Sequence, residues 1–237
     1  MDGPRTLESD IVVRGVTIPA GSTFHDEEPF DHRIFVLSRS TVVHGARVAK
    51  GGTLEVWPFP PPVSVVVSAL LLPLYPWFAW RTYRDVVAPA RFGVEPVEPL
   101  IVDGVEIRAG DRVWLERRGI ASLTIGSPRV IEGHALETGT VMFATGGRPR
   151  SVILYRSQAL GGLPCFGSGL VGTDVLLDEA GRVRRCVLSE DALVDGRRYA
   201  RGTRLDLDES GRVRATKAMN VDVALYTPRP DVMNRFG

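Results

Sequence analysis

The sequence has few cysteines, no start typical of secretion and almost no net charge. Its 237 residues include two cysteines, Cys165 and Cys186, which are too few for a disulfide framework and match no zinc motif. We therefore interpret both as ordinary buried thiols. The opening residues, MDGPRTLESD, lack the apolar region of a secretory signal. The formal net charge of +1 gives no global indication of a nucleic-acid or acidic partner.

Motifs for catalysis and cofactor binding are also missing. The sequence Gly-Ser-Gly at 167–169 lacks the spacing of a nucleophile elbow, and no glycine-rich phosphate loop precedes a helix. The densest set of metal-type side chains, HDEEPFDH from His25 to His32, fits no metal motif. We interpret it as a polar loop at a hairpin tip. The sequence therefore predicts no enzyme, no cofactor and no metal site.

Glycine, in contrast, is abundant and recurs at a regular spacing. Five segments contain two glycines six residues apart: VRGVTIPAGST, VHGARVAKGGT, VDGVEIRAGDR, IEGHALETGTV and VDGRRYARGTR. A looser copy starts at Gly162. Successive copies lie about 29–34 residues apart, except for a doubled gap between Gly45 and Gly104. This regularity predicts a repeat architecture.

Each copy has the pattern of a small β-meander. Apolar residues alternate after the second glycine, which is typical of a half-buried strand. The sequences LDEAGRV and LDESGRV then predict hairpin turns in which Gly181 and Gly211 adopt a positive φ. We predict a mainly β protein, an elongated repeat of short β-meanders that share a core, with strands at Arg112–Leu115, Val141–Phe143, Asp174–Leu177, Arg182–Leu188, Thr203–Leu207 and Arg212–Ala218.

These repeats resemble a known family. Gly-Thr, a short strand, Leu-Asp-Glu-Xaa-Gly-Arg-Val and a second strand together resemble the β-hairpin repeats of the YwqK and MORN type. The resemblance is closest over Gly172–Ala218, and weaker copies extend back to about Leu7. The Tyr and Trp positions that mark MORN repeats are mostly missing. The resemblance implies an open β-sheet that serves interaction or membrane association, without catalytic residues.

One hydrophobic stretch interrupts the repeat within the doubled gap. Residues 56–80 read VWPFPPPVSVVVSALLLPLYPWFAW and contain no charge, and 53–92 contain no glycine. As a helix, Val63–Trp80 would span about 27 Å, close to the thickness of the hydrocarbon core of a bilayer. Aromatic residues stand at both ends and two arginines follow, as in interfacial anchors. The predicted membrane or partner contacts are Trp57, Phe59, Val65, Val67, Leu70, Leu71, Leu72, Leu74, Tyr75, Trp77, Phe78, Trp80, Arg81 and Arg84.

Several interpretations of this helical insertion stay open. A diverged repeat would need turn glycines, which are absent. Pro73 and Pro76 would break a straight helix, which favours a hairpin or interfacial anchor: Val63–Leu72 descends and Trp77–Val87 lies in the interface. This arrangement also keeps the repeats on both sides in one compartment, where they can stack. The alternatives are a single transmembrane crossing and a soluble arm that packs against a partner or against the sheet.

An Arg-Xaa-Arg pattern recurs on strands that follow hairpin turns. Residues two apart share a face of a strand, so stacked repeats would align these side chains as a stripe for anionic groups. The alternative is pairing with acids across the turn, among them Asp178 and Asp208. The stripe residues are Arg148, Arg150, Arg182, Arg184, Arg212 and Arg214.

Together these patterns predict an organisation and a role. We expect two N-terminal repeats in 1–57, the insertion in 58–96, four repeats in 97–220 and a tail in 221–237. The predicted function is a non-enzymatic, membrane-associated scaffold on the cytoplasmic face, since no signal peptide is present. The alternative is a soluble cytoplasmic adaptor or immunity-type module whose arm binds a partner or mediates oligomerisation. Expected partners are membrane lipid or a hydrophobic protein, and no nucleic acid.

Overall fold

The computed structural model describes residues 4–27, 32–56, 91–168 and 174–219. Every regular secondary-structure element within these ranges is a β-strand, which confirms the prediction of a mainly β protein. The helix expected at Val63–Trp80, the contact residues from Trp57 to Arg84 and the tail in 221–237 lie outside the described residues.

The strands are of two kinds. We call the first kind sheet strands, because they pair with one another in long antiparallel ladders: β1 (Arg5–Thr6), β4 (Thr23–Glu27), β5 (His32–Val36), β8 (Thr53–Val56), β9 (Phe92–Glu95), β12 (Arg112–Glu116), β13 (Gly119–Ile125), β16 (Gly139–Ala144), β17 (Arg148–Leu154), β20 (Val175–Leu177), β21 (Val183–Val187), β24 (Thr203–Leu207) and β25 (Val213–Ala218).

The second kind forms short hairpins of two three-residue strands, placed in the chain between successive pairs of sheet strands. These are β2 (Ile11–Val13) with β3 (Val16–Ile18), β6 (Thr41–Val43) with β7 (Ala46–Val48), β10 (Leu100–Val102) with β11 (Val105–Ile107), β14 (Arg129–Ile131) with β15 (His134–Leu136), β18 (Gln158–Leu160) with β19 (Leu163–Cys165), and β22 (Ala192–Val194) with β23 (Arg197–Tyr199).

The chain divides into two compact units, Met1–Gly119 and Ile120–Gly237. In the first unit the sheet strands follow the order β1-β4-β5-β8-β9-β12, and in the second β13-β16-β17-β20-β21-β24-β25. Within each unit, every sheet strand therefore pairs with the sheet strands nearest to it in the sequence, and the short hairpins form separate two-stranded pairs. The bounds of all six predicted strands agree with those of observed strands to within two residues, so the meander is confirmed.

The repeated glycines are explained by turn geometry. Each short hairpin is closed by two residues that both have positive φ, as in type I′ turns, whose twist matches that of the flanking strands. At Asp103 and Gly104, for example, φ is +50° and +80°. The first glycine of each copy occupies the second turn position, namely Gly15, Gly45, Gly104, Gly133, Gly162 and Gly196.

The predicted hairpin turns between sheet strands are confirmed. Gly181 and Gly211 have φ of +76° and +80°. In the second of these turns, the Gly211 N–H donates to the Asp208 carbonyl over 3.0 Å, and the Asp208 N–H donates to the Arg212 carbonyl over 2.9 Å. The Asp208 carboxylate also accepts hydrogen bonds from backbone N–H groups of the turn. Asp178 occupies the equivalent position before Gly181.

The core of the second unit lies between its sheet strands and its short hairpins. Leu160 and Cys165 from β18 and β19 belong to the same buried cluster as Val152, Cys186 and Leu205 from the sheet strands. Both cysteines are thiols and fully buried, as the sequence predicts. A hydrogen bond with Cys165 and burial raise the pKa of the Cys186 thiol well above its usual value, so it stays protonated.

Candidate interaction surfaces

The strands that flank the apolar segment, residues 57–90, lie side by side. Val56 at the end of β8 pairs with Phe92 at the start of β9, and Thr53 pairs with Glu95. The chain therefore leaves the sheet after β8 and returns to it in β9, the strand paired with β8. A single crossing would place these paired strands on opposite sides of a bilayer, and it is incompatible with their pairing. Phe92–Glu95, assigned to the insertion by the sequence analysis, form a sheet strand.

The predicted contact residues of the segment, from Trp57 to Arg84, lie outside the described ranges. Within those ranges, no helix combines the length and the apolar character that a bilayer crossing requires. The expected contacts with lipid or with a partner stay a prediction.

A polar cluster lies beside the point where the segment departs. Glu55 pairs with Gly93, and Gly93 pairs with Trp114, so these three residues form one row across β8, β9 and β12. A Cβ atom on Gly93 would lie 3.0 Å from Glu55 Oε2 and 3.1 Å from the Trp114 ring. Glu55 is only 5% exposed. The missing side chain at position 93 therefore leaves space for both the Glu55 carboxylate and the Trp114 ring.

Arg112 supplies positive charge to this cluster. Its Nη2 lies 3.6 Å from Glu55 Oε2, and its Nε lies 2.6 Å from Glu95 Oε1. The two carboxylates therefore share one guanidinium, which offsets part of the cost of burying Glu55. A lone glycine within a strand can mark such a close approach, but the sequence analysis did not use this signal at Gly93.

The six arginines of the predicted stripe lie on or directly before β17, β21 and β25. In each hairpin the register shifts, and the extra residue is the second arginine: Arg150, Arg184 or Arg214. A bulge breaks the alternation of side chains. The argument that the two arginines of a pair share a strand face therefore does not hold at these turns.

The first arginine of one pair has a partner across the turn. Arg182 Nη2 lies 2.8 Å from Asp178 Oδ2, and its Nε donates to the same oxygen over 2.9 Å. This is the acid pairing that the sequence analysis gave as the alternative to a stripe. Arg148, Arg150 and Arg214 are exposed.

The carboxylates at these turns are held in the charged form. At Asp208, a hydrogen bond from the Ser210 hydroxyl lowers the pKa below its usual value, and the Arg212 N–H contributes in the same direction. At Asp178, burial raises the pKa, but hydrogen bonds from Arg182 and from the Ala180 N–H outweigh this effect and lower it. Both aspartates therefore act as charged acceptors that fix the turn.

The described residues of the histidine-rich segment are strand and not the predicted polar loop, since residues 25–27 belong to β4 and His32 begins β5. Glu27 pairs with His32 at the ends of β4 and β5, and residues 28–31 between them lie outside the described part. The residues that the structure describes contain no group of three or more potential metal ligands. The other two histidines interact within the fold: the Gly181 carbonyl oxygen accepts a hydrogen bond from His134 Nε2 over 2.6 Å, and the His44 ring contacts Phe92 edge-on.

A set of exposed aliphatic side chains was missed by sequence reasoning. The central residue of the first strand of most short hairpins is apolar and points outward, with exposed fractions of 59–75%. We call these the outer hairpin residues: Val12, Val42 and Ile101 in the first unit, and Val130 and Leu193 in the second. Their recurrence three residues before each turn glycine is visible in the sequence, but only their exposure in the structure shows that they face outward.

Comparison of the chain with protein-family models, with curated proteins and with solved structures finds no match in any of the three.

Proposed function

We propose that this chain is a non-enzymatic β-repeat scaffold that is attached to a membrane through the apolar segment at 57–90. The observation that carries the proposal is the pairing of Val56 with Phe92, which makes the segment a single excursion from one hairpin connection. An excursion of this kind can enter a membrane and return while the repeats on both sides stay together. The resemblance of the repeats to the YwqK and MORN type favours the same role.

The composition of the segment suits an interface with lipid. It combines an uncharged apolar run with Trp and Tyr side chains at its ends and with Arg81 and Arg84 beyond them. Aromatic rings favour the headgroup region, and arginine can keep its charge in water while its stem stays in apolar surroundings. We propose a hairpin or interfacial helix here, on the cytoplasmic side, with lipid as the main partner.

The arginines of the predicted stripe provide a further contribution; Arg184 is half-buried, and the others are exposed. We propose that Arg148, Arg150, Arg184, Arg212 and Arg214 favour anionic headgroups, each adding about 1 kcal/mol near a charged surface. Arg182 contributes less, since Asp178 neutralises it. Replacing Arg148 and Arg150 by Ala should weaken binding to vesicles that contain phosphatidylserine and leave binding to phosphatidylcholine vesicles unchanged.

The replacement Leu71→Asp tests membrane attachment. A charge near the centre of a bilayer costs about 2.5–3.5 kcal/mol, so the variant should leave the membrane pellet and become soluble without detergent. Leu193→Asp is the matched control, because it adds the same charge at an exposed outer hairpin residue. That variant should still pellet. Circular dichroism should show the same β spectrum for both.

A second candidate is a soluble adaptor or immunity-type module, and the outer hairpin residues favour it. A contiguous exposed apolar patch is typical of a surface that another protein covers, and neighbouring short hairpins of the first unit are in contact, β3 with β6 and β7 with β10. In this case the apolar segment would bind a partner or mediate oligomerisation. If Leu71→Asp stays folded and still pellets with membranes, lipid does not hold the segment, and this function replaces the first. If the variant unfolds, the segment belongs to the core of a soluble protein.

A further inference from the structure

Within the described part of the chain, the last sheet strand of the second unit has an open edge. β25 pairs with β24, and among the described residues no other strand pairs with it. The Met219 N–H donates to the carbonyl of Gly202, just before β24, so the backbone groups of Met219 face β24. Backbone groups alternate in direction along an antiparallel strand, so the N–H and C=O groups of Thr216 and Ala218 point away from β24. These groups form a template on which a further strand could pair.

The side chains of β25 itself give this edge mainly positive charge, and among the described residues the one acid bonded to its backbone is Asp195, whose carboxylate accepts from the Val213 N–H at the start of the strand over 3.0 Å. From Arg212 to Met219 the chain carries Arg212, Arg214 and Lys217 and no acidic residue. Lys217 lies directly opposite Arg204 of β24, and like charges at such positions repel each other.

The acid on the neighbouring strand is already engaged. Asp206 binds Arg185 through one oxygen, and its other oxygen lies 3.4 Å from Arg204 Nη2. The Arg204–Lys217 pair therefore keeps an excess of positive charge directly beside the open backbone.

We propose that β25 binds an extended acidic peptide segment of a partner protein by strand addition. The outward backbone groups of Thr216 and Ala218 would supply hydrogen bonds, and glutamate or aspartate side chains of the added strand would lie next to Lys217 and Arg204. A second copy of β25 is disfavoured at this edge, because it would bring the same positive charges together. The proposal concerns the second unit alone and does not depend on membrane attachment.

The test measures binding of short peptides to the full-length protein in a mild non-ionic detergent, by fluorescence anisotropy. The main probe is a labelled heptapeptide of alternating glutamate and valine, and the second is its lysine–valine counterpart. Two N-methylated versions of the acidic peptide block one or the other edge of its backbone. We expect saturable binding of the acidic peptide, loss of binding in at least one N-methylated version, and no binding of the basic peptide.

Variants of β25 separate backbone pairing from simple charge attraction. Thr216→Pro removes an outward N–H while it leaves the bonds to β24 in place, and Thr216→Val is its matched control. Thr216→Pro should weaken binding at least tenfold, and Thr216→Val should not. Lys217→Glu should weaken binding of the acidic peptide by about tenfold and strengthen binding of the basic peptide. Arg198→Glu, at an exposed arginine of β23, should change the binding of neither peptide.

Five results would overturn the proposal. If both N-methylated peptides bind as tightly as the unmodified acidic peptide, or if Thr216→Pro has no effect, strand addition is excluded. Equal binding of the acidic and basic peptides would exclude selection by charge. A wild-type dimer that Thr216→Pro converts to monomer in sedimentation would make a second copy the occupant. Binding that requires removal of residues 221–237 would assign the edge to the chain's own tail.

Discussion

Val56 pairs with Phe92 in neighbouring antiparallel strands, although residues 57–91 separate them in the sequence. The register of β8 and β9 is therefore defined by the strands themselves, with pairs that continue to Thr53 and Glu95. A hairpin register normally depends on its turn. Here the strands on either side, β5 and β12, also hold each partner in place.

The first prediction follows from this pairing. Replacing residues 58–90 by Asp-Gly should preserve the sheet, because a two-residue type I′ turn between Trp57 and Arg91 keeps Val56 opposite Phe92. The same dipeptide closes β10 and β11 at Asp103 and Gly104. We expect an unchanged β spectrum by circular dichroism and a cooperative thermal transition. A shortened protein that fails to fold, with the Leu71→Asp variant also unfolded, would show that the segment is part of the core.

A second prediction concerns Gly211. Its φ of +80° disfavours residues with a branched Cβ, and a Cβ at this position would have no heavy atom within 4 Å. The cost of Gly211→Val is therefore purely one of backbone conformation, about 1–3 kcal/mol in urea unfolding. Gly211→Asn should cost less, because asparagine tolerates a positive φ. Equal stability of all three proteins would contradict the observed turn.

The Asp208 carboxylate gives a prediction for pH dependence. Its pKa is lowered in the folded state by the Ser210 hydroxyl and by the Arg212 N–H. The stability that it contributes is therefore present above its unfolded pKa of about 3.9 and is lost as the pH falls through the folded pKa. Asp208→Asn keeps an acceptor oxygen but does not titrate. The melting temperature of this variant should lie below that of the wild type at pH 7.

The difference between Asp208→Asn and the wild type should shrink as the pH falls below about 4, where the wild-type carboxylate is protonated. Melting temperatures at three or four pH values between 2.5 and 7 measure it. Ser210→Ala removes the hydroxyl donor and should reduce the same pH-dependent difference. A gap between variant and wild type that stays constant over this range would rule out a titration at Asp208.

Gly93 provides a fourth prediction. Gly93→Ala would bring a methyl group to within 3.0 Å of Glu55 and 3.1 Å of the Trp114 ring, so we expect a loss of about 1–3 kcal/mol in stability. Trp114→Phe shortens the ring at this contact. In a double-mutant cycle, Gly93→Ala should therefore cost less in the Trp114→Phe background. Purely additive effects would mean that the ring does not limit the space above Gly93.

The turns of this fold could be predicted because they depend on local chemistry. Gly181 and Gly211 need a positive φ, and this requirement is visible in the sequence without knowledge of the partners. The strand Thr203–Leu207 was likewise predicted with its observed bounds, since alternation reports a half-buried strand directly. Local signals of this kind recur in each repeat, and the regular spacing of the repeats supports each single prediction.

The features that were missed depend on pairing. Alternation does not reveal which strand lies opposite, so the sequence did not separate the short hairpins from the sheet strands or assign Phe92–Glu95 to β9. The bulges at Arg150, Arg184 and Arg214 insert one residue, which reverses any face assigned by counting. Val42 and Leu193 were overlooked because an apolar residue in a strand is normally read as core.

The order of the sheet strands in each unit has a consequence for how such a chain can change over evolution. Each sheet strand pairs with the nearest sheet strands in the sequence, and one repeat contributes two of them together with one short hairpin. Duplication or loss of one repeat by unequal recombination would add or remove two neighbouring strands. The remaining pairs would keep their registers, because none of them connects distant parts of a unit. The number of repeats can therefore vary among descendants of one gene while the local structure of each repeat is inherited intact.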